Sequence, residues 1–256
     1  PSGFKKANIL TLDYSGNGIS TTISLGIENK IKRFKEIKKP NSLGIFYGLI
    51  TQILGFEIDN DEYKVMGLAS YGKPKYNLNN ILNVDKDIFR LNNKILNIAE
   101  LDKKKSLMLT RQEPFYSDYL LKQLKLKRRL EKNIHSKKKK DLASSAQNQL
   151  NLAAENLFKY AYKKNKVNNF CLAGGVALNC TMNNHLSQLD FVKKLFIQPA
   201  SSDAGCSIGA AFFVANKLRE KIIIKNKVYL GNQFNNSQIK QILKNNNILK
   251  FAKKYD

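Results

Sequence analysis

Between Ala7 and Lys30 apolar and polar positions alternate. Ile9, Leu10 and Leu12 lead into the polar stretch Asp13–Gly18, and Thr21, Ile23 and Leu25 recur at every second position beyond it. This pattern predicts a strand, a tight turn and a second strand. The period then lengthens. "SLGIFYGLITQILGF" predicts a helix capped by Ser42, with Gly55 just past its end, and "NDEYKVMGLASYGKPKY" predicts a short helix that breaks at Tyr71-Gly72-Lys73-Pro74. From about Asn77 to Lys140 the pattern is irregular, as expected of an insertion.

Beyond Asp141 the signal sharpens. Ala143, Ala146, Leu150, Ala153, Leu157 and Ala161 recur at steps of three and four, which defines one apolar face of a long helix. Its small alanines predict close packing against a sheet. A strand over Asn169–Leu172, a Gly-Gly turn and a helix to about Leu186 follow. "KKLFIQP" then predicts a strand, "ASSDAG" a turn and "CSIGAAFFVANKL" a helix. Strand–turn–helix repeated twice is the α/β pattern. "KVYLGNQFNNSQIKQILKNN" predicts the beginning of another module, with Asn236 or Ser237 starting a helix. No repeat of solenoid period is visible.

Composition narrows the classes. At 256 residues with 43% hydrophobic positions, the chain can bury a sizeable core. No apolar run approaches the roughly 20 residues that cross a bilayer, so membrane insertion is not expected. Cys171, Cys180 and Cys206 are odd in number and lack C-x-x-C spacing, which predicts neither a disulfide framework nor a zinc knuckle and suits a reducing cytoplasm. Forty-four basic against 20 acidic residues give +24, at face value a nucleic-acid or anionic-membrane signature. The excess is mostly lysine among Asn and Ile, with only six arginines and no Trp, so a nucleic acid is not expected as the primary partner. The run "LKLKRRLEKNIHSKKKK" reads as a solvated helix and loop, or less simply as a phosphate patch. His135 and His185 stand in no metal-ligand spacing. Pro1 in place of Met, and an abrupt end, predict a piece of a longer protein.

Several polar spots could carry chemistry. Gly174 and Gly175 after a strand either make a tight turn or let a ligand approach backbone N–H groups at a helix start, with Asn179 one turn on. "DYSGNG" places Asp13, Ser15, Gly16 and Gly18 between two strands, as a plain hairpin turn or a phosphate-holding one. Asp203 reads as a helix cap, or as a ligand or base at a strand's carboxyl end. Lys64 reads as a surface lysine or a phosphate contact.

Taken in order, Asp-x-Ser-Gly-x-Gly, Ser-x-Gly-x-x-Tyr, "DEYKVMGLASYG", "AGGVALNCTMN" and "QPASSDAGCSIGAAF" closely resemble the NodU/CmcH-type carbamoyltransferase family over nearly the whole chain. The resemblance implies an α/β, actin-like ATPase (ribonuclease H-like) fold over residues 1–216, interrupted by the 77–140 insertion, with 217–256 beginning a YrdC-like domain. It implies ATP-dependent O-carbamoyl transfer. Carbamoyl phosphate and ATP give carbamoyl-adenylate, and the hydroxyl of a small sugar or natural-product acceptor attacks it. Nucleotide contacts would fall on Asp13, Ser15, Gly16, Gly18, Lys64, Gly174, Gly175, Val176 and Asn179. Lys64 and Asp203 would be catalytic, and Asp203 would also ligate a divalent metal, expected to be iron. The family's histidine ligands would lie upstream of Pro1, so the isolated chain is expected not to turn over. Tyr14, Asn17, Tyr63 and Ser70 depart from the family's usual residues. Two other readings stay open: a nucleic-acid-associated protein akin to the enzymes that form threonylcarbamoyladenosine on tRNA, or a nucleotide-binding module without catalysis.

Overall fold

The computed structural model describes residues 2–84, 88–92, 116–126, 136–220 and 231–252. Strand β1 (Lys6–Gly16) alternates as its sequence predicts: Asn8, Leu10 and Leu12 are buried while Ile9 and Thr11 are only partly covered. β2 (Ile19–Ile27) returns antiparallel, and the hairpin closes on Asn17 and Gly18, both at positive φ (52° and 79°). Two left-handed residues between paired Gly16 and Ile19 are what a tight Asn-Gly hairpin requires.

A third strand that the periodicity does not announce, β3 (Lys30–Lys38), pairs antiparallel with β2. Only Ile37 of its residues is buried, and it carries lysines along its length, as suits an edge strand that must resist pairing with other chains.

Helix α1 (Leu43–Ile53) starts at Ser42, whose hydroxyl accepts from the Ile45 N–H. Helix α2 (Glu62–Ala69) is followed by the Tyr71–Pro74 break. A short hairpin, β4 (Leu82–Val84) with β5 (Phe89–Leu91), and helix α3 (Asp118–Gln123) are the described parts of the 77–140 stretch. His135 and residues 127–135 of the charge run lie outside the described residues.

The long helix α4 spans Lys137–Asn165, and its alanines with Leu142, Leu150 and Leu157 form a fully buried stripe. The close packing expected against a sheet occurs against the five-stranded sheet in its second half, while Gln149 of the first half donates to the Leu82 carbonyl of β4 at 2.7 Å. In the second half Phe158 stacks on Phe170 at 4.5 Å between ring centroids, and Asn165 donates to buried Asn8. Its first half lies along α2 and the loop after it. Gly72 is pressed so close that a Cβ would sit 2.0 Å from the Lys140 carbonyl oxygen, the Lys73 N–H donates to Asp141, and the Tyr76 N–H donates to Ser145. Small alanines bring helices together as readily as they bring a helix to a sheet.

Strand β6 (Asn169–Ala173), the 3-10 turn Gly175–Leu178, helix α5 (Cys180–Ser187), strand β7 (Lys194–Ile197) and helix α6 (Cys206–Leu218) complete the first unit. The sheet order is β3-β2-β1-β6-β7, with β1, β6 and β7 parallel. This is a mixed α/β architecture.

The chain divides into two compact units, Pro1–Ile222 and Ile223–Asp256. In the second unit helix α7 (Asn236–Asn245) begins at a capping box between Asn235 and Gln238. No described helix is long and apolar enough to cross a membrane.

Candidate functional site

Three parallel strands bring three irregular segments to one end of the sheet. β1 breaks register between Leu12 and Gly16, where Asp13 and Tyr14 lie, β6 runs into Gly174 and Gly175, and β7 into the loop from Ala200 to Gly205. The carboxyl ends of parallel strands are where α/β proteins place ligands. Hydrogen bonds join these bends directly. An Asp13 carboxylate oxygen accepts from the Gly175 N–H at 3.3 Å and from the Tyr14 N–H at 2.8 Å. The Gly174 N–H donates to the Ser201 carbonyl at 2.7 Å. The two glycine-bearing bends, 162 residues apart between Asp13 and Gly175, are therefore neighbours.

Each glycine has its own reason. Gly174 has φ +99° and ψ 163°, a region open to little but glycine, and a Cβ there would lie 2.1 Å from the Leu12 carbonyl oxygen. The backbone that crowds it belongs to β1. At Gly175 a Cβ would meet only the Asp13 carboxylate, at 3.1 Å. Gly16 has nothing within 4 Å and no positive φ, so the fold does not itself demand glycine there. Gly18 serves the hairpin.

Helix α1 closes the β1 bend from another side. A Cβ on Gly44 would lie 2.6 Å from Tyr14 Cα and N, and the Ser42 hydroxyl lies 2.9 and 2.8 Å from the carbonyl oxygens of Asp13 and Tyr14, sharing its proton between them. Sequence reasoning treats Ser42 as a helix cap. It is also the brace of the candidate phosphate bend, and the "Ser-x-Gly" spacing is the signal for both roles.

Asn179 ends the glycine turn and is buried. Its side-chain oxygen accepts from the Met182 N–H at 2.8 Å, capping α5, and its amide exchanges two hydrogen bonds with Gln147 of α4 at 3.0 and 2.9 Å. Gln147 also accepts from the buried Tyr47 hydroxyl at 2.8 Å. Burial pushes the Tyr47 phenol well above its ordinary value, which keeps it a neutral donor. Tyr47 is the tyrosine of the Ser-x-Gly-x-x-Tyr motif, whereas Gln147 does not stand out in the sequence, because a polar residue on a helix reads as surface until its partners are known.

Val176 is buried within the same turn, its carbonyl accepting from the Asn179 N–H at 3.1 Å. Ser15 is partly covered beside the hairpin turn. Lys64 is exposed, 2.7 Å from Asp61 and near the rings of Phe56 and Tyr63. The Asp61 pairing raises the lysine's pKa, and the same hydrogen bond holds the Asp61 carboxyl below its usual range. Met66, whose sulfur lies 3.6 Å from that of Cys180 at the start of α5, marks the side of α2 that faces the glycine turn. Two helical residues are separated by about 200°, so Lys64 lies on the opposite flank. Glu62, one residue from Asp61, has its carboxyl pushed up by burial.

Asp203 is exposed and opens the short 3-10 turn Asp203–Gly205, whose cap position is Ser202. Among the described residues no group of three or more His, Cys, Asp or Glu side chains could hold a metal. His185 pairs with Glu155 at 2.7 Å. Tyr14 packs against the core with the Lys39 ammonium 5.7 Å from its ring centre.

The family model described as Carbamoyltransferase N-terminus matches residues 1–212, a span that contains all three bends. The chain is 31% identical over 217 residues to Nodulation protein NolNO of Sinorhizobium fredii, covering 85% of this chain and 29% of that protein. Over 247 residues it is 30% identical to Nodulation protein NolO of Bradyrhizobium diazoefficiens, covering 94% and 41%. An uncharacterized protein of Synechocystis is 35% identical over 254 residues, covering 95% and 40%. The chain thus spans about two fifths or less of the length of these relatives.

Proposed function

The chain belongs to the carbamoyltransferase family, and from that premise we propose that its strand-end bends hold ATP during O-carbamoyl transfer. One observation carries the reading: the Asp13 carboxylate bonded to the Gly175 N–H, which brings two glycine-bearing bends to one end of the sheet. Gly16 presents backbone with open space beside it, so a phosphate could approach it closely, while the Gly175 N–H, already donated to Asp13, holds the second bend beside the first. Together with the adjoining Ser201–Asp203 loop they form a cradle in the manner that the actin-like resemblance implies.

In the proposed reaction carbamoyl phosphate, ATP and one water yield carbamoyl-adenylate, inorganic phosphate and pyrophosphate. A hydroxyl of a small acceptor then attacks the carbamoyl carbon, and AMP leaves. This chain's part is to bind and orient the nucleotide, since fixed backbone donors stabilise charge on phosphoryl oxygens without reorganising. Lys64, at the family's lysine position, is the phosphate or carbamoyl contact that the resemblance implies, and from the outer flank of α2 it would have to leave Asp61 and swing toward the bends to make it.

Asp203 is the metal ligand that the resemblance implies. One exposed carboxylate is too small a donor set for a transition metal, so the described residues do not by themselves fit the expected iron, and no step is routed through it.

Calorimetric titration of the full chain with ATP tests the nucleotide reading. Wild type should bind, and Asp13→Ala should bind at least about tenfold more weakly, having lost a charge-assisted tie between the bends. Absence of ATP binding by wild type would remove the proposal. Transfer from labelled carbamoyl phosphate to a hydroxylated acceptor tests the chemistry separately.

A further inference from the structure

We propose that Gln147 is a positioning residue for the nucleotide-facing turn, acting on it through Asn179 from the far side. The inference rests on the nucleotide reading above for its functional consequence, and on the hydrogen-bond network for its geometry.

The turn from Gly174 to Asn179 is held at both ends. At its start, Gly174 donates to Ser201 and Gly175 to Asp13. At its end, Asn179 is tied by its side chain. The polarity of that tie is forced. A backbone N–H can only donate, so the Met182 amide compels the Asn179 oxygen to face it. The Asn179 nitrogen must then face the Gln147 oxygen, and the Gln147 nitrogen the Asn179 oxygen, at 2.9 and 3.0 Å. Gln147 offers its second acceptor site to the Tyr47 hydroxyl and its second N–H to Asn151, at 2.8 and 2.9 Å. All four of its hydrogen-bonding positions are used.

Gln147 is 4% exposed and Asn179 8% exposed, so water is a poor substitute for any lost partner. One residue of α4 therefore links α1 to the end of the turn. With most of its amide engaged inside the protein, Asn179 acts on the ligand by fixing the backbone before it.

The substitution Gln147→Glu separates positioning from simple stability. The ionised carboxylate of that variant could still accept from Tyr47 and from the Asn179 nitrogen, but it would have no proton for the Asn179 oxygen. Protonated, it could donate there again. The titratable groups facing Tyr47 are Glu62 and Cys180, and both are present in wild type and variant alike.

The experiment measures ATP affinity and melting temperature for wild type, Gln147→Glu and Gln147→Met of the full chain between pH 5 and 8, with wild type at each pH as reference. Gln147→Glu should bind about tenfold more weakly at pH 8 and recover toward wild type as pH falls, and Gln147→Met should stay weak throughout. Lowered melting temperature with wild-type ATP affinity in both variants would overturn the proposal.

A second readout does not depend on the ligand. Amide exchange at Met182 should speed up in Gln147→Met, while exchange at Ile45, held by Ser42, should not change. If wild type binds no ATP, the nucleotide reading fails, and this measurement still decides the positioning claim. Equal protection of Met182 in both proteins, or equal loss at both amides, would overturn it.

Discussion

Gly174→Ala is the sharpest perturbation of the strand-end site, because two independent penalties meet at one methyl group. The backbone there, φ +99° and ψ 163°, is strained for any residue with a Cβ, by about 1–3 kcal/mol. The added carbon would also lie 2.1 Å from the Leu12 carbonyl oxygen and 2.6 Å from its carbon. Those atoms belong to a strand hydrogen-bonded to β2 on one side and β6 on the other, so they cannot yield easily. Overpacking of this kind costs about 1–3 kcal/mol more. The sum, about 2–6 kcal/mol, is a large part of the roughly 5–15 kcal/mol that typically holds a domain together.

Urea denaturation followed by circular dichroism is the assay, and for a slope of about 2–3 kcal/mol/M the midpoint should fall by about 0.7–3 M. Gly16→Ala is the control, since a Cβ there meets nothing within 4 Å. If Gly174→Ala unfolds within about 0.5 kcal/mol of wild type, β1 is not the neighbour that requires this glycine, and the account of the turn is wrong.

Gly16→Ala should leave stability unchanged yet weaken ATP binding, and calorimetric titration giving unaltered affinity would show that no phosphate approaches that backbone. Ser42→Ala should cost about 1–2 kcal/mol in urea unfolding, because it removes both the α1 cap and the brace on Asp13 and Tyr14. Asp141 is held below the usual carboxylate range, first by the Lys73 N–H and then by Lys75. Its contribution should be fully present above the unfolded value of about 3.9 and be lost as pH falls through the lower folded value. The stability gap between wild type and Asp141→Asn should therefore be constant above about pH 5 and close in stronger acid, and a gap that widens in acid would contradict the pairing.

Much of the scaffold is legible along the chain. Alternation marks β1 and β2, and "NNSQ" announces the start of α7 at Asn236. β3 is not legible, because an edge strand with one buried residue has no apolar alternation to display. The alanine stripe of α4 is visible, but which neighbour it meets is not. Its first half lies against α2 and its second half against the sheet, and the same small side chains serve both. At the site, the sequence marks Asp13, Gly174 and Gly175, and Ser42, Gly44 and Tyr47 as a Ser-x-Gly-x-x-Tyr motif, while Gln147 enters only through its partners.

What the linear order of residues determined is local: which segments extend, which coil, where glycine interrupts them, and that their motifs match a carbamoyltransferase. Only the tertiary structure decided that the bend at Asp13 and the bend at Gly175 share a hydrogen bond, that Gly174 yields to the backbone of β1, and that Lys64 lies on the outer flank of α2. The reason is physical. Periodicity reports whether a side chain faces water or protein, since that preference is set residue by residue. Which protein atoms it faces depends on the pairing of strands and helices far apart along the chain.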